Sequence, residues 1–436
     1  MNVIRRAASR IARAVVRLAY PDYEQQRQRL RDTTRSVAQL EKRVRTQASE
    51  DQKALTSLRR LLAGQPTRDE WRSSMRDLER ARTRMESLAR VTQRSLRRGD
   101  ARAEPTRNER RVLQRLERIA ASGRPIVAGP WSGEVGFELL YWIPFLNWFR
   151  QQYHVGADRL IVVSRGGVDA WYGHVAARYT DALTRVSTDE FRAATEIAKK
   201  QRGVTPFDVA LLRRVVSDER LGRVHLLHPE SMYRLYWGFW KEDASVRRLD
   251  QYGAPALLGG DAGPDVPPDL PSEYVAVRFY FSQCFPDTPT NRAFVSGIVE
   301  TLAASTHVVL LNTPFTIDDH VDYAVPGHPR VHTIGCMSPE RNLAVQTAVI
   351  RRARAFVGTY GGYSYLAPLC GVRSIAFYSD RTFSQQHLDV AQRAFRELGT
   401  ASLIPLDVRD ADLVSRLLQR GAAAAAAAPR PTGAEA

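Results

Sequence analysis

From Pro125 onward, short unbroken apolar runs alternate with longer stretches whose apolar residues recur at helical spacing. The pattern predicts a strand, a glycine loop and a helix within 126–152, a strand over 159–163, a mixed helical region, a strand over 223–227 and an aromatic helix over 230–240. After the Gly-, Pro- and Asp-rich stretch 259–273, which reads as a linker, the alternation resumes. Strands are expected in YVAVRFY (274–280), HVVLLN (307–312), VHTIG (331–335), AFVGT (355–359) and SIAFYS (374–379), with helices over 291–304, 338–353, 363–370 and near 409–420. Unbroken apolar strands alternating with helices indicate parallel sheets covered on both faces. The expected class is therefore α/β, with one domain over 124–258, a second over 274–421 and a cleft between them. The Ala-rich end, 422–436, has low complexity and is expected to be disordered.

The first 120 residues follow another rule. Ile4, Ile11, Val15 and Leu18 fall near one face of a helix whose arginines, Arg6, Arg10, Arg13 and Arg17, lie mostly elsewhere. Residues 1–20 thus predict a basic amphipathic helix, suited to a membrane interface or to packing on a protein surface. Over 21–120, Leu30, Val37, Leu40 and Val44 sit at heptad-like spacing, and Leu55, Leu58, Leu62, Met75, Leu78, Met85 and Leu88 form a second set. A helical or coiled-coil arm is expected, serving homo-oligomerisation through 21–98 or acting as a solvated spacer.

Charge sharpens this division. Residues 1–120 hold 31 basic and 15 acidic side chains, a balance of +16; the remaining 33 and 32 leave +1 for 121–436. A nucleic-acid enzyme would carry its excess around its working groove, so no specific nucleic-acid partner is expected, and the arm suits an anionic membrane surface. The sequence offers no run of about 18 apolar residues to span a bilayer, and residues 1–20 lack the apolar core of a secretion signal. Cys284, Cys336 and Cys370 form no CxxC pair and read as small buried hydrophobes or incidental thiols. The expected location is cytoplasmic, peripheral on the inner face of the membrane.

Two glycine-rich turns carry the candidate chemistry. In PIVAGPWSGEVGFELLYWIPFLNWF (125–149) a strand ends at Gly129, and Gly133 and Gly136 allow close backbone approach before a helix begins. Glu134 and Glu138, four residues apart, could face one way and act as general base toward a hydroxyl; capping the positive helix end is the plainer use. In ARAFVGTYGGYSYLAPLCGVRSIAFYS (353–379), Gly358, Thr359, Gly361, Gly362 and Ser364 lie between a strand and a helix. Backbone N–H groups there suit a diphosphate, with the two hydroxyls as added donors, although a sharp turn alone would also want glycines. Arg278, after the first strand of the second half, could grip a phosphate bidentately or make an ordinary ion pair. Asn312 and Thr313, with Asp318, Asp319 and His320, follow a strand and could reach a nucleotide. His225, His228, Tyr233, Tyr236, Trp237 and Trp240 offer either an aromatic platform or a packed helix; Trp131 reads as cleft wall or core. Trp131, Tyr233 and Trp237 are the candidate acceptor contacts.

Together these regions resemble the two ends of GT-B glycosyltransferases, in particular the bacterial heptosyltransferase-like group. That family carries an early G-D-x5-P motif, whose Asp is the proposed base, and a late D-[ST]-G-x-x-H-L-A motif that cradles donor phosphates. Glu138, followed by Leu139 to Ile143 and then Pro144, reproduces the x5-P spacing. Tyr360–Ala367 aligns with the late motif, keeping Gly362, Leu366 and Ala367 while Tyr360 and Tyr365 replace its Asp and His. The resemblance covers about 124–421 and implies two Rossmann-like domains, the first for an acceptor and the second for a nucleotide-sugar donor. It implies transfer of a sugar to a glycan or lipid-linked acceptor in cell-surface polysaccharide synthesis, with Glu138 or Glu134 as base and Arg278 stabilising the leaving diphosphate. No metal and no cofactor beyond the nucleotide-sugar substrate are expected; Asp410-Ala411-Asp412 reads as an ordinary acidic helix start. The alternatives are a pyruvyl transferase or epimerase of similar fold, and a non-catalytic coiled-coil scaffold with a degenerate α/β unit.

Overall fold

The computed structural model describes residues 107–197, 200–240, 246–259, 266–315, 321–335, 337–380 and 385–410. The amphipathic helix, most of the arm, Asp318 to His320, Cys336, the helix expected beyond Asp410 and the Ala-rich end lie outside them. Every described residue belongs to one compact unit, which spans 100–436.

The first lobe runs α1 (Arg107–Ala121), β1 (Ile126–Ala128), α2 (Val135–Phe137), a π-helical stretch (Glu138–Trp142), α3 (Ile143–Gln152), β2 (Leu160–Ser164), α4 (Asp169–Tyr172), β3 (Arg178–Asp181), α5 (Thr188–Ile197), α6 (Pro206–Asp218), β4 (His225–Leu227), α7 (Glu230–Leu235), α8 (Trp237–Trp240) and α9 (Arg247–Asp250). It begins before the Gly123 turn, because Val112, Leu116 and Ile119 form one buried stripe on α1 and Glu109 pairs with buried Arg248 at 2.6 Å. The second lobe runs β5 (Tyr274–Arg278), α10 (Pro289–Ser305), β6 (His307–Leu310), β7 (Val331–Thr333), α11 (Asn342–Arg352), β8 (Ala355–Thr359), α12 (Gly362–Leu369), β9 (Ser374–Tyr378), α13 (Gln385–Glu397) and β10 (Leu403–Asp407).

Both sheets are parallel, in the orders β3-β2-β1-β4 and β10-β9-β8-β5-β6-β7. The central strands β1 and β5 each feed two cores. On β1, Ile126 and Ala128 join a core that reaches into both lobes, while Val127 packs with Phe191, Leu211 and Val215 on the other face. On β5, Tyr274 and Ala276 join the shared core and Val275 and Val277 the outer one, with Val295 and Val299 of α10. The expected α/β class with two parallel halves is what the chain adopts.

The boundaries differ where local chemistry intervenes. The aromatic helix expected over 230–240 is two short helices, α7 and α8. The helix expected from 338 starts at Asn342, because Ser338 to Arg341 closes a turn through Arg341 N–H to the Ser338 carbonyl. β3 and β10 escape sequence reading: both are edge strands, one without an apolar run and the other carrying Pro405.

Candidate active site at two switch points

In an open parallel sheet, ligands bind beyond the carboxyl ends of the strands, where the strand order reverses. In the first lobe that point lies between β1 and β4, so the turn after Ala128 and the segment after Leu227 flank it. In the second lobe it lies between β5 and β8, paired so that Arg278 stands opposite Gly358. Both glycine-rich turns singled out in the sequence therefore leave strands at switch points.

At the first point the structure separates the two glutamates. Glu138 is wholly buried: Oε1 accepts from Ser164 Oγ and Tyr172 OH, each at 2.5 Å, and Oε2 accepts from an Arg165 guanidinium nitrogen at 2.6 Å. Burial and the adjacent Glu138 hold the Tyr172 hydroxyl well above its usual pKa, so it stays a donor. The other Arg165 nitrogen donates to the Gly133 carbonyl at 2.7 Å. The expectation that Glu138 meets an acceptor hydroxyl is corrected: its carboxylate is wholly buried and committed to Ser164, Arg165 and Tyr172, so it anchors β2, α4 and the glycine turn. Glu134 is exposed, at the N-cap position of α2, and its side chain does not cap that helix. Arg165 escaped the sequence reading although Ser164-Arg165-Gly166-Gly167, directly after an apolar strand, mirrors the placing of Arg278.

At the second point the hydroxyls are committed locally. Thr359 Oγ1 accepts from Tyr280 N–H and donates to the Tyr280 carbonyl, at 3.0 and 3.1 Å. Ser364 Oγ accepts from Gly361 N–H at 3.1 Å and donates to the Gly361 carbonyl at 2.7 Å. Neither adds a donor for a diphosphate, which corrects that part of the expectation. Arg278 is buried, with Nε 2.9 Å from Asp322 and its guanidinium 4.3 Å from the centre of the Tyr363 ring. Tyr363 in turn donates to Gln346 at 2.6 Å, whose amide donates to the Leu311 carbonyl at 2.7 Å, so the stacked ring is locked. Asn312 donates to the Tyr323 carbonyl at 3.0 Å. Asp322 and Tyr363, which hold Arg278, were not foreseen: the first is remote in sequence and the second reads as core.

The turns meet across the lobes. A Cβ on Gly362 would lie 2.9 Å from the Gly136 nitrogen and 3.0 Å from the Val135 Cβ, so these glycines serve backbone contact between α2 and α12. A second bridge forms where Ala344 N–H meets the Gly166 carbonyl at 2.9 Å and Trp171 Nε1 meets Thr347 at 3.0 Å. Gly362→Ala is expected to cost about 1–3 kcal/mol by overpacking this seam, read as a lowered denaturation midpoint; an unchanged midpoint would show that the lobes separate freely there.

An aromatic wall adjoins Glu134. Phe137, Tyr141, Tyr233, Tyr236 and Trp240 pack together, and His387 of the second lobe inserts its ring 4.9 Å from Phe137 and bonds Tyr141 OH through Nδ1 at 2.6 Å. Burial, with Lys200 nearby, pushes the His387 pKa down to about 4. Tyr233 is buried within the wall, whereas Trp237 is 47% exposed. Trp131 is wholly buried and stacks on Trp142 at 5.9 Å, so it is core and not an acceptor contact. His228 is also core: Nδ1 accepts from Glu230 N–H, and Nε2 faces Asp208 at 3.2 Å. Among the described residues no group of three or more His, Cys, Asp or Glu is placed to hold a metal ion.

No protein-family model matches the sequence, and no curated protein does. Among solved structures, the family 9 glycosyl transferase of Veillonella parvula is similar at 12% identity and a TM-score of 0.37, over 68% of this chain and 89% of that one. The E. coli heptosyltransferase WaaC with ADP is similar at 13% identity and a TM-score of 0.37, over 68% and 99%. The iron-containing dodecameric glycosyltransferase TibC of enterotoxigenic E. coli gives 13% and 0.33, and this chain spans 58% of its length. Overlap this loose assigns no activity.

Proposed function

We propose that the two lobes form a glycosyltransferase that takes its sugar from a nucleotide-sugar. The observation that carries this reading is the facing of two sheet switch points, one with an exposed carboxylate at Glu134 and the other with a cation at Arg278. The donor diphosphate lies against the second switch point, beside Arg278 and the α12 turn; the acceptor lies on the first lobe against the aromatic wall. Glu134 takes the proton of the acceptor hydroxyl, whose oxygen bonds to the anomeric carbon as the bond to the diphosphate breaks. The electron pair leaves with the diphosphate, where Arg278 offsets the growing charge. Asp322 holds the guanidinium in place for that task and tempers its charge.

Loss of a general base costs on the order of 10²–10⁴ in rate, so Glu134→Gln should lower turnover by about that factor in a protein that still unfolds cooperatively. The assay presents nucleotide-sugars and simple glycoside acceptors to the full chain, after a thermal-shift screen has chosen the nucleotide. No shift with any nucleoside diphosphate, or full activity in Glu134→Gln, refutes the reading. A shift with phosphoenolpyruvate instead points to pyruvyl transfer.

A further inference from the structure

We infer that the acceptor side of the first lobe is built for a carbohydrate that carries a negative charge beside its ring. The inference deepens the transferase reading by naming a substrate class for its acceptor half. It starts from Gln201, which is 1% exposed although it lies in an irregular surface segment. Its side chain clamps the first glycine turn on both sides, Nε2 donating to the Pro130 carbonyl at 2.7 Å and Oε1 accepting from Ser132 N–H at 3.0 Å. A buried amide bound at both ends fixes the backbone around it. Its two neighbours, Lys200 and Arg202, are both exposed and stand on either side of this fixed point.

Each of those cations lies on an aromatic ring, Lys200 on a member of the wall and Arg202 on the exposed Trp237. Lys200 Nζ is 4.9 Å from the centre of Phe137, and the Arg202 guanidinium is 5.6 Å from Trp237. Such contacts hold a cation in place without neutralising it. Neither side chain is ion-paired with a carboxylate among the described residues. The segment therefore presents two positioned positive charges in a region whose overall balance is nearly neutral. Trp237, almost half exposed, adds a large apolar face at the same place. A pyranose packs its C–H face on such a ring, and an anionic substituent meets Lys200 and Arg202 through charge-assisted bonds. Glu134 stands beside the patch, since its charge and that of Arg202 act on the Tyr233 hydroxyl in opposite senses. The anionic group is a carboxylate or a phosphate; both satisfy the same two cations.

The test is a fluorescence titration of the full chain with methyl glucoside, methyl glucuronide, glucose 6-phosphate and inorganic phosphate at low ionic strength. A charged sugar should bind at least about tenfold more tightly than the neutral one and than inorganic phosphate, and added salt should erode the difference. Preference for the glucuronide identifies a carboxylate ligand, and preference for the phosphate sugar identifies a phosphate. Lys200→Met with Arg202→Met should abolish the preference without moving the melting temperature, and Trp237→Ala should weaken every sugar. Equal binding of charged and neutral sugars, binding of none, or a preference that survives the double variant overturns the inference. Inorganic phosphate binding as tightly as the sugar phosphate also overturns it, leaving a mere anion site. The titration uses no donor and no turnover, so failure of glycosyl transfer with the preference intact removes the transferase reading alone.

Discussion

Replacing Arg165 by Met should lower the unfolding free energy by about 3–5 kcal/mol, the penalty for leaving a buried charge without its counter-charge. Glu138 has no access to water, and Arg165 is the cation in contact with its carboxylate; Ser164 and Tyr172 supply neutral donors only. The guanidinium also holds the Gly133 carbonyl, so the glycine turn loses a tether at the same time. Urea denaturation of the single variants and of Glu138→Gln with Arg165→Met separates the two effects. The double variant should cost clearly less than the sum of the singles, because it removes both charges together. Additive costs would mean that the pair is not coupled as the geometry requires. If Glu138→Gln kept full stability and lost only turnover, the carboxylate would be a base after all.

The second large effect is a loss of stability in acid traceable to His387. Its imidazole lies among Phe137, Tyr141 and Trp240, across the seam from its own lobe, with Lys200 adding repulsion to any proton it takes up. The folded pKa is depressed to about 4, against about 6.5 for an unfolded histidine, so the unfolded chain binds more protons throughout that interval. Stability from this group is present above about pH 6.5 and drains away as pH falls through the interval, by about 3 kcal/mol in all. Other groups titrate in the same range; Asp181, whose pKa burial raises, acts in the opposite sense. The comparison that isolates His387 is therefore wild type against His387→Gln, followed from pH 7 to pH 4. The difference in unfolding free energy should narrow by about 3 kcal/mol toward acid; a constant difference would place the ring in water.

How much of this was legible in advance depends on how local the cause is. Eight of the ten strands among the described residues could be read from their apolar runs, most directly the central ones, because a strand buried on both faces must be apolar at consecutive positions. Arg278 and the glycines near 361 were legible as features at strand ends, since each directly follows or closes an apolar run; that these ends are switch points comes from the sheet topology. β3 and β10 were not, since β3 (Arg178–Asp181) lacks an apolar run and β10 carries Pro405, both tolerated at a sheet edge. Arg165 was within reach from Ser-Arg-Gly-Gly after a strand. His387 was not, because its importance comes from reaching a wall formed by residues far earlier in the chain.

By itself, the sequence settled the α/β class, the parallel strands and the position of two glycine-rich turns at strand ends, all of which follow from the order of apolar and glycine residues along the chain. Tertiary structure alone decided which glutamate meets solvent. Glu134 and Glu138 look interchangeable in a linear reading, yet Ser164, Arg165 and Tyr172 converge on Glu138 and leave Glu134 exposed. A carboxylate can be buried only where several donors and a cation assemble around it, and that assembly comes from separate elements that no local spacing records.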